Sequence, residues 1–256
     1  MEIMSAALRT RNIYIPHATE PYKLSRSKVE LFISCPRCFY LDRRCGVMRP
    51  ESPAYSLNNA VDILLKREFD GMRTKQIAHP LMVRFGVEAV PMLHPLLEDW
   101  RDRIKGIRYL DAKTNFMVFG AIDDVWVSKD ETLHIVDYKA TSSDQEVSLT
   151  GKWKQAYKRQ LEIYQWLFRK NGFKVSDTGY FVYENADRGK DSFDGKLEFT
   201  TKILPYEGNG DWIEDALHEA KICLERDTPP VSGIECEWCG YRKGAYSVEA
   251  KAGESE

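Results

Sequence analysis

The chain has 256 residues, enough for one large domain or a domain with a sizeable insertion. With 43% hydrophobic and 30% charged residues the composition is that of an ordinary globular protein, and a net charge of −2 excludes a polycation, so nucleic-acid binding would need a local basic surface. No apolar run approaches the roughly 20 residues of a membrane span, and "MEIMSAALRTRNIYIPHATEPYK" lacks the long apolar core of a signal peptide; the expectation is a cytoplasmic protein with no membrane partner.

Residues 1–23 read as an irregular lead-in. "LSRSKVELFISCPRCFYLDRRCG" reads as one helix, with Val29, Phe32 and Ile33 at helical spacing and Ser27 with Glu30 as a capping box, or Ser25 as the cap. A loop over 47–55 leads to "NNAVDILLKREFDGMR", an amphipathic helix with Val61, Leu64, Leu65 and Phe69 on one side. "HPLM" and "HPLL" place Pro at two helix starts, which predicts a helical insert over about 71–112.

From residue 116 the period changes to two. "FMVFGAIDDVWV" and "TLHIVDYKA" read as two strands joined by the polar turn "SKDE". "SLTGKWKQAYKRQLEIYQWLFRKNG" contains a long helix that stops at Gly172. "TGYFVYEN" and "KLEFTTKILPY" are further strands, and "DWIEDALHEAKICLERD" is a helix with Trp212, Ile213, Ala216, Leu217, Ala220 and Leu224 on one face. Residues 244–256 read as a disordered charged tail. This order predicts an α/β (α+β) fold, a small mixed central sheet flanked by helices, in a single domain over 24–243.

Alternate residues of a strand share a face, so Asp123 falls with Val125 and Val127, and Asp137 and Lys139 fall with Leu133 and Ile135. Asp124 points to the other face and is the weaker candidate. A turn near 128–131 makes facing positions sum to about 259 or 260, which sets Asp123 opposite Asp137 or one residue out of register. Opposite Cβ atoms are about 4.5–5.5 Å apart, and two carboxylates that close repel unless they share a proton or a cation. Magnesium or manganese would satisfy both, and Lys139 stands one strand step from Asp137, able to orient a water or neutralise charge building on a phosphate. The group reads as a one- or two-metal phosphodiesterase centre.

"GAID" at 120–123, "VDYKAT" at 136–141 and "QLEIY" at 160–164, in that order, resemble the G-x-x-D, D/E-x-K and Q-x-x-x-Y series of the PD-(D/E)XK nuclease superfamily. The likeness is nearest to its RecB-like branch, which includes the CRISPR-associated adaptation nucleases. The resemblance implies a restriction-endonuclease-like core and a DNA nuclease in which Asp123, Asp137 and the Tyr138 carbonyl hold the metal and Lys139 is catalytic. Gln160 and Tyr164, one helical turn apart, would contact substrate or order the lysine. The relatives usually carry a further metal-ligating His on an upstream helix; the equivalent here is Asp62, with Asn59 as the other choice.

"CPRC" and "CEWC" supply Cys35, Cys38, Cys236 and Cys239. Two C-x-x-C pairs signal a metal centre, because two thiolates on one tight turn chelate a single ion or cluster. Some RecB-like nucleases hold a [4Fe–4S] cluster on one early and three late cysteines, and that resemblance implies a [4Fe–4S] cluster here; the two-plus-two pattern suits zinc, the alternative, equally well. Cys223 reads as core. Finally, "KWKQAYKRQ" sets Lys152, Lys154, Lys158 and Arg159 beside Trp153 and Tyr157, a combination suited to a DNA backbone and to unpaired bases at single-stranded regions or ends. A nucleic-acid-binding relative with a degraded site, or a structural or redox metal-cluster protein, are the competing functions.

Overall fold

The computed structural model describes residues 8–50 and 55–253. The chain forms two compact units: one takes the described residues up to 50, with 110–117 and 214 onward, and the other takes 55–109 and 118–213.

In the first unit lie β1 (Tyr22–Ser25), α1 (Arg26–Ser34) and α2 (Pro36–Arg44). The one helix expected here is two, broken at Cys35, which is extended at φ −164° and ψ 101°. The cause is Pro36: its ring disfavours helical backbone at the preceding residue, while Pro itself is welcome at the first position of α2. Ser25 stands at the N-cap of α1 without a side-chain cap bond, its Oγ lying 3.0 Å from Ser27 Oγ, so the expected capping box does not form.

The second unit holds α3 (Ser56–Lys75), α4 (Pro80–Arg84), β2 (Ala89–Pro91) and α5 (Leu97–Arg101). The expected helical insert thus includes a strand, and the second proline, Pro95, lies in a turn ahead of α5 instead of opening it. Along β3 (Ile107–Asp111) and β4 (Phe116–Gly120) the chain passes from one unit to the other and back; β4 is central in a three-stranded sheet of order β1–β4–β3. The long strand expected over 116–127 breaks between β4 and β5 (Asp124–Ser128), where Ile122 turns inward and its N–H bonds the Trp100 carbonyl at 3.1 Å.

β5 turns back into β6 (Leu133–Thr141) through the expected polar turn, in which Glu131 takes a positive φ. A short 3-10 turn over Lys152–Lys154 opens α6 (Gln155–Lys170), which crosses to β7 (Thr178–Ala186), parallel to β6; β8 (Phe199–Glu207) completes a sheet of order β2–β5–β6–β7–β8. One face of this sheet packs against α3: Leu65 and Phe69 meet Trp126, Val136, Tyr138 and Val182. Leu64, expected on the buried side, is 60% exposed, because Leu65 and Phe69, four residues apart, define the stripe and Leu64 is rotated off it. α6 covers the other face so closely at Gly179 that a Cβ there would lie 2.6 Å from the Leu161 side chain and 2.8 Å from the Ile135 carbonyl oxygen. Residues 161–168 of α6 are all buried, and the Gln165 amide nitrogen donates to the carbonyls of Ser176 and Asp177 at 3.1 and 2.7 Å, while its buried Oε1 has no hydrogen-bond partner among the described residues.

The chain ends through α7 (Trp212–Glu225), with Ile213, Leu217, Ala220 and Leu224 buried as expected, and α8 (Glu237–Gly253). α8 runs through residues expected to form a disordered tail; Ala, Glu and Lys there are strong helix formers that outweigh the charge. Among the described residues no helix is long and apolar enough to cross a membrane.

Candidate active site and cysteine centre

The β5–β6 register pairs Asp124 with Val136 and Val125 with Ile135, so its continuation sets Asp123 opposite Asp137, one of the two expected registers. Asp123 sits just before β5, where the strand break frees its side chain; its Oδ2 accepts the Tyr138 N–H at 3.0 Å. Asp137 is fully buried in β6. Its Oδ1 accepts from Gln160 Nε2 of α6 at 2.7 Å, and its Oδ2 pairs with the Lys139 ammonium two residues on. The sheet and its crossover helix thus bring together Asp123, Asp137, Lys139 and Gln160. Tyr164, one turn beyond Gln160, is buried within α6.

Asp62 is near the same group, linked through Lys66, whose Nζ donates to Asp62 Oδ2 at 2.9 Å and to Asp123 Oδ1 at 3.1 Å. Sequence reasoning missed Lys66, although its i, i+4 spacing from Asp62 was a signal. Burial works against every charge here, so the partners decide the outcome. For Lys139, Asp137 and Asp123 outweigh burial and hold the ammonium above its usual range. For Asp123, Lys66 and Lys139 outweigh burial and hold the carboxyl below its usual range. Asp62 goes the other way, raised by burial and by the neighbouring Asp123.

A second buried network lies behind Asp123 and was not read from the sequence. Asp124 accepts from Tyr138 Oη at 2.7 Å, from Arg101 Nη2 at 3.1 Å and from Arg73. Arg101 also binds Asp70 and, through Nε, the Asp123 carbonyl at 3.0 Å. Two guanidiniums against Asp70 and Asp124 make a neutral set, the condition on which buried charges are tolerated. It fixes the backbone on either side of the Asp123 carboxylate.

The basic run opens α6. Lys154 Nζ donates to Tyr183 Oη at 3.0 Å and lies 5.3 Å from the Tyr157 ring centre, with burial and the nearby Lys139 lowering its pKa. Lys139 lies over the same Tyr157 ring at 4.7 Å. Lys158 stands over the Tyr206 ring, Lys152 is exposed, Arg159 is half-buried, and Trp153 is 80% exposed on the 3-10 turn.

In the first unit the four cysteines converge, as expected. Cys35 and Cys239 sulfurs are 3.8 Å apart, Cys38 lies 3.6 Å from both Cys236 and Cys239, and all four ligand atoms fall within 4.8 Å of one another. The break before Pro36 places Cys35 at the N-cap of α2, where its sulfur accepts the Cys38 N–H at 3.5 Å, and Gly233 N donates to it at 3.2 Å. A Cβ at Gly233 would lie 2.4 Å from the Ser34 carbonyl oxygen, so only glycine allows this approach. Burial opposes ionisation of Cys35, but these N–H groups prevail and bring the thiol down to about 6; burial raises Cys38 and Cys239. Arg49 Nη2 donates to Cys236 at 3.3 Å. A tetrahedron of sulfurs about 2.3 Å from one ion has edges of about 3.8 Å, close to these three separations. Neither Gly233 nor Arg49 was singled out in the sequence. Cys223 is buried with its thiol raised to about 11, a core residue as expected, and Cys45 is exposed.

The model of the PD-(D/E)XK nuclease superfamily matches residues 57–243. No curated protein matches the chain. A solved structure, the crystal structure of SSO0001, is 16% identical and aligns over 84% of this chain and 82% of that one with a TM-score of 0.37.

Proposed function

The chain belongs to the PD-(D/E)XK nuclease superfamily, and from that premise we propose that it is a DNA nuclease of the RecB-like kind, hydrolysing phosphodiester bonds at Asp123, Asp137 and Lys139. The observation that carries this reading is the buried Asp137 held between Lys139 and Gln160 with Asp123 in register across the hairpin. A charged pair this well buried within a strand is costly unless it has a job.

Carboxylate oxygens with the Tyr138 carbonyl form a hard donor set that fits magnesium or manganese. Bound to Asp123 and Asp137, the ion would act as a Lewis acid on the phosphate. The chain's own residues do the rest. Lys139, kept protonated, orients the attacking water and offsets negative charge on the phosphoryl oxygens. Gln160 fixes Asp137 and thereby Lys139. Asp62 acts through Lys66. Tyr164 supports Gln160 from within α6. Lys152, Lys154, Lys158 and Arg159 line the DNA backbone's path, and exposed Trp153 stacks on an unpaired base at a single-stranded region or end.

The cysteine tetrad is a structural metal centre. Its sulfur spacing supports one ion, zinc in the first place, over the [4Fe–4S] cluster implied by the resemblance, since a four-iron cube would hold its thiolates farther apart. Free metal-binding cysteines suit a reducing compartment such as the cytoplasm. One observation favours a second reading, a DNA-binding relative that does not cleave: Lys66 already neutralises Asp123. Incubating the purified chain with single- and double-stranded DNA and magnesium or manganese separates the two. The nuclease reading predicts cleavage that chelation stops; shifted but intact DNA supports the other.

A further inference from the structure

The carboxylate site holds an ammonium that the family resemblance gives no place. Lys66 projects from α3, one turn after Asp62, and bridges Asp62 and Asp123 with bonds of 2.9 and 3.1 Å. It is partly buried, at 23% side-chain exposure, as is Asp123, so the pair is shielded from most of the solvent that weakens surface ion pairs. Lys139 lies against Asp137 on the other side. Three carboxylates and two ammoniums leave the group one net negative charge. A single divalent ion together with one phosphodiester charge brings that set to neutrality. A second divalent ion would leave two uncompensated positive charges in a partly buried site and would have to displace Lys66 from Asp123 Oδ1.

We propose that Lys66 is a resident cation standing in for a second divalent ion, so that the nuclease site binds one metal ion per chain. This rests on the reading of Asp123 and Asp137 as metal ligands. Lys66 is then a positioning residue: it turns Asp123 Oδ1 toward α3, leaving the other oxygen on the Tyr138 side. Asp62 then serves to anchor this ammonium.

The test is manganese binding alone, followed by electron paramagnetic resonance of free ion and by calorimetry, on the purified chain with its cysteine metal left in place. Wild type is expected to bind one manganese that Asp137→Asn removes. Lys66→Met takes away a positive charge next to the ion, so it should tighten binding by at least about tenfold or admit a second ion. Lys66→Arg keeps the charge and should bind one ion as wild type does. Should Lys66→Met fail to fold, Lys66→Gln retains hydrogen-bond donors without charge and carries the same expectation. Two manganese ions in wild type, or unchanged affinity and stoichiometry in the neutral variant, would overturn the role of Lys66 while leaving the nuclease reading in place. No manganese that Asp137→Asn removes would overturn the metal reading of the carboxylates, and this inference with it.

Discussion

The carboxylate site and the cysteine tetrad face the same problem, several anionic ligands held close together, and meet it differently. At the carboxylates the chain supplies whole cations: Lys66 for Asp62 and Asp123, and Lys139 for Asp137. At the four cysteines the described residues supply a single cation, the Arg49 guanidinium on Cys236, and otherwise only the N–H groups of Cys38 and Gly233 on Cys35. The first site is therefore close to neutral and already assembled by its own ion pairs. The second needs an external ion before four thiolates can stay at contact distance. Metal should be dispensable for the fold at the first and integral to it at the second.

That contrast breaks most visibly at the tetrad. Cys38→Ser should release the bound ion and lower the melting temperature by about 10 °C, because metal-binding energy there is folding energy; chelation of wild type should do the same. Metal analysis paired with calorimetry checks both. If chelation removed the ion with no thermal effect, the two sites would not differ as described. Next comes the neutral network behind Asp123. Arg101→Met leaves Asp124 and Asp70 undercompensated and should cost about 3–5 kcal/mol in urea unfolding, whereas a loss under about 1 kcal/mol would show that the network is solvated.

Smaller effects sharpen the carboxylate side. Gln160→Ala should reduce cleavage about tenfold while manganese affinity is retained, since a hydrogen bond to a charged group contributes about 1.5–3 kcal/mol and only part of it is felt in the transition state; loss of the ion would instead make Gln160 necessary to the ligand set. Lys154→Ala and Lys158→Ala should each make the salt dependence of DNA binding shallower by about one unit of slope at most, as measured by fluorescence anisotropy. An unchanged slope in the double variant would place the DNA elsewhere.

The hairpin was legible because a period of two and a polar turn narrow the register to two choices, one of which sets Asp123 against Asp137. The cysteine centre was legible because its chelating pairs are local. The break at Cys35 was written in Pro36 but lost under a helical pattern that runs through it. β2 is three residues long and carries no period to read. Lys66 and Arg101 escaped for another reason: their partners Asp123 and Asp124 lie on distant elements, and nothing in helical or strand spacing says which charges a fold will bring together.

The most direct test of the central claim compares wild type with Asp137→Asn in a time course on end-labelled single- and double-stranded DNA, with magnesium or manganese. The substitution keeps shape and removes the ligand charge; it also takes the buried partner from Lys139, so the melting temperature should fall by several degrees in a protein that still folds, while cleavage falls by about a thousandfold or more, several kcal/mol of transition-state stabilisation. Lys139→Ala should lose activity similarly while still binding the ion. Full cleavage by the folded Asp137→Asn protein would contradict the assignment of this site.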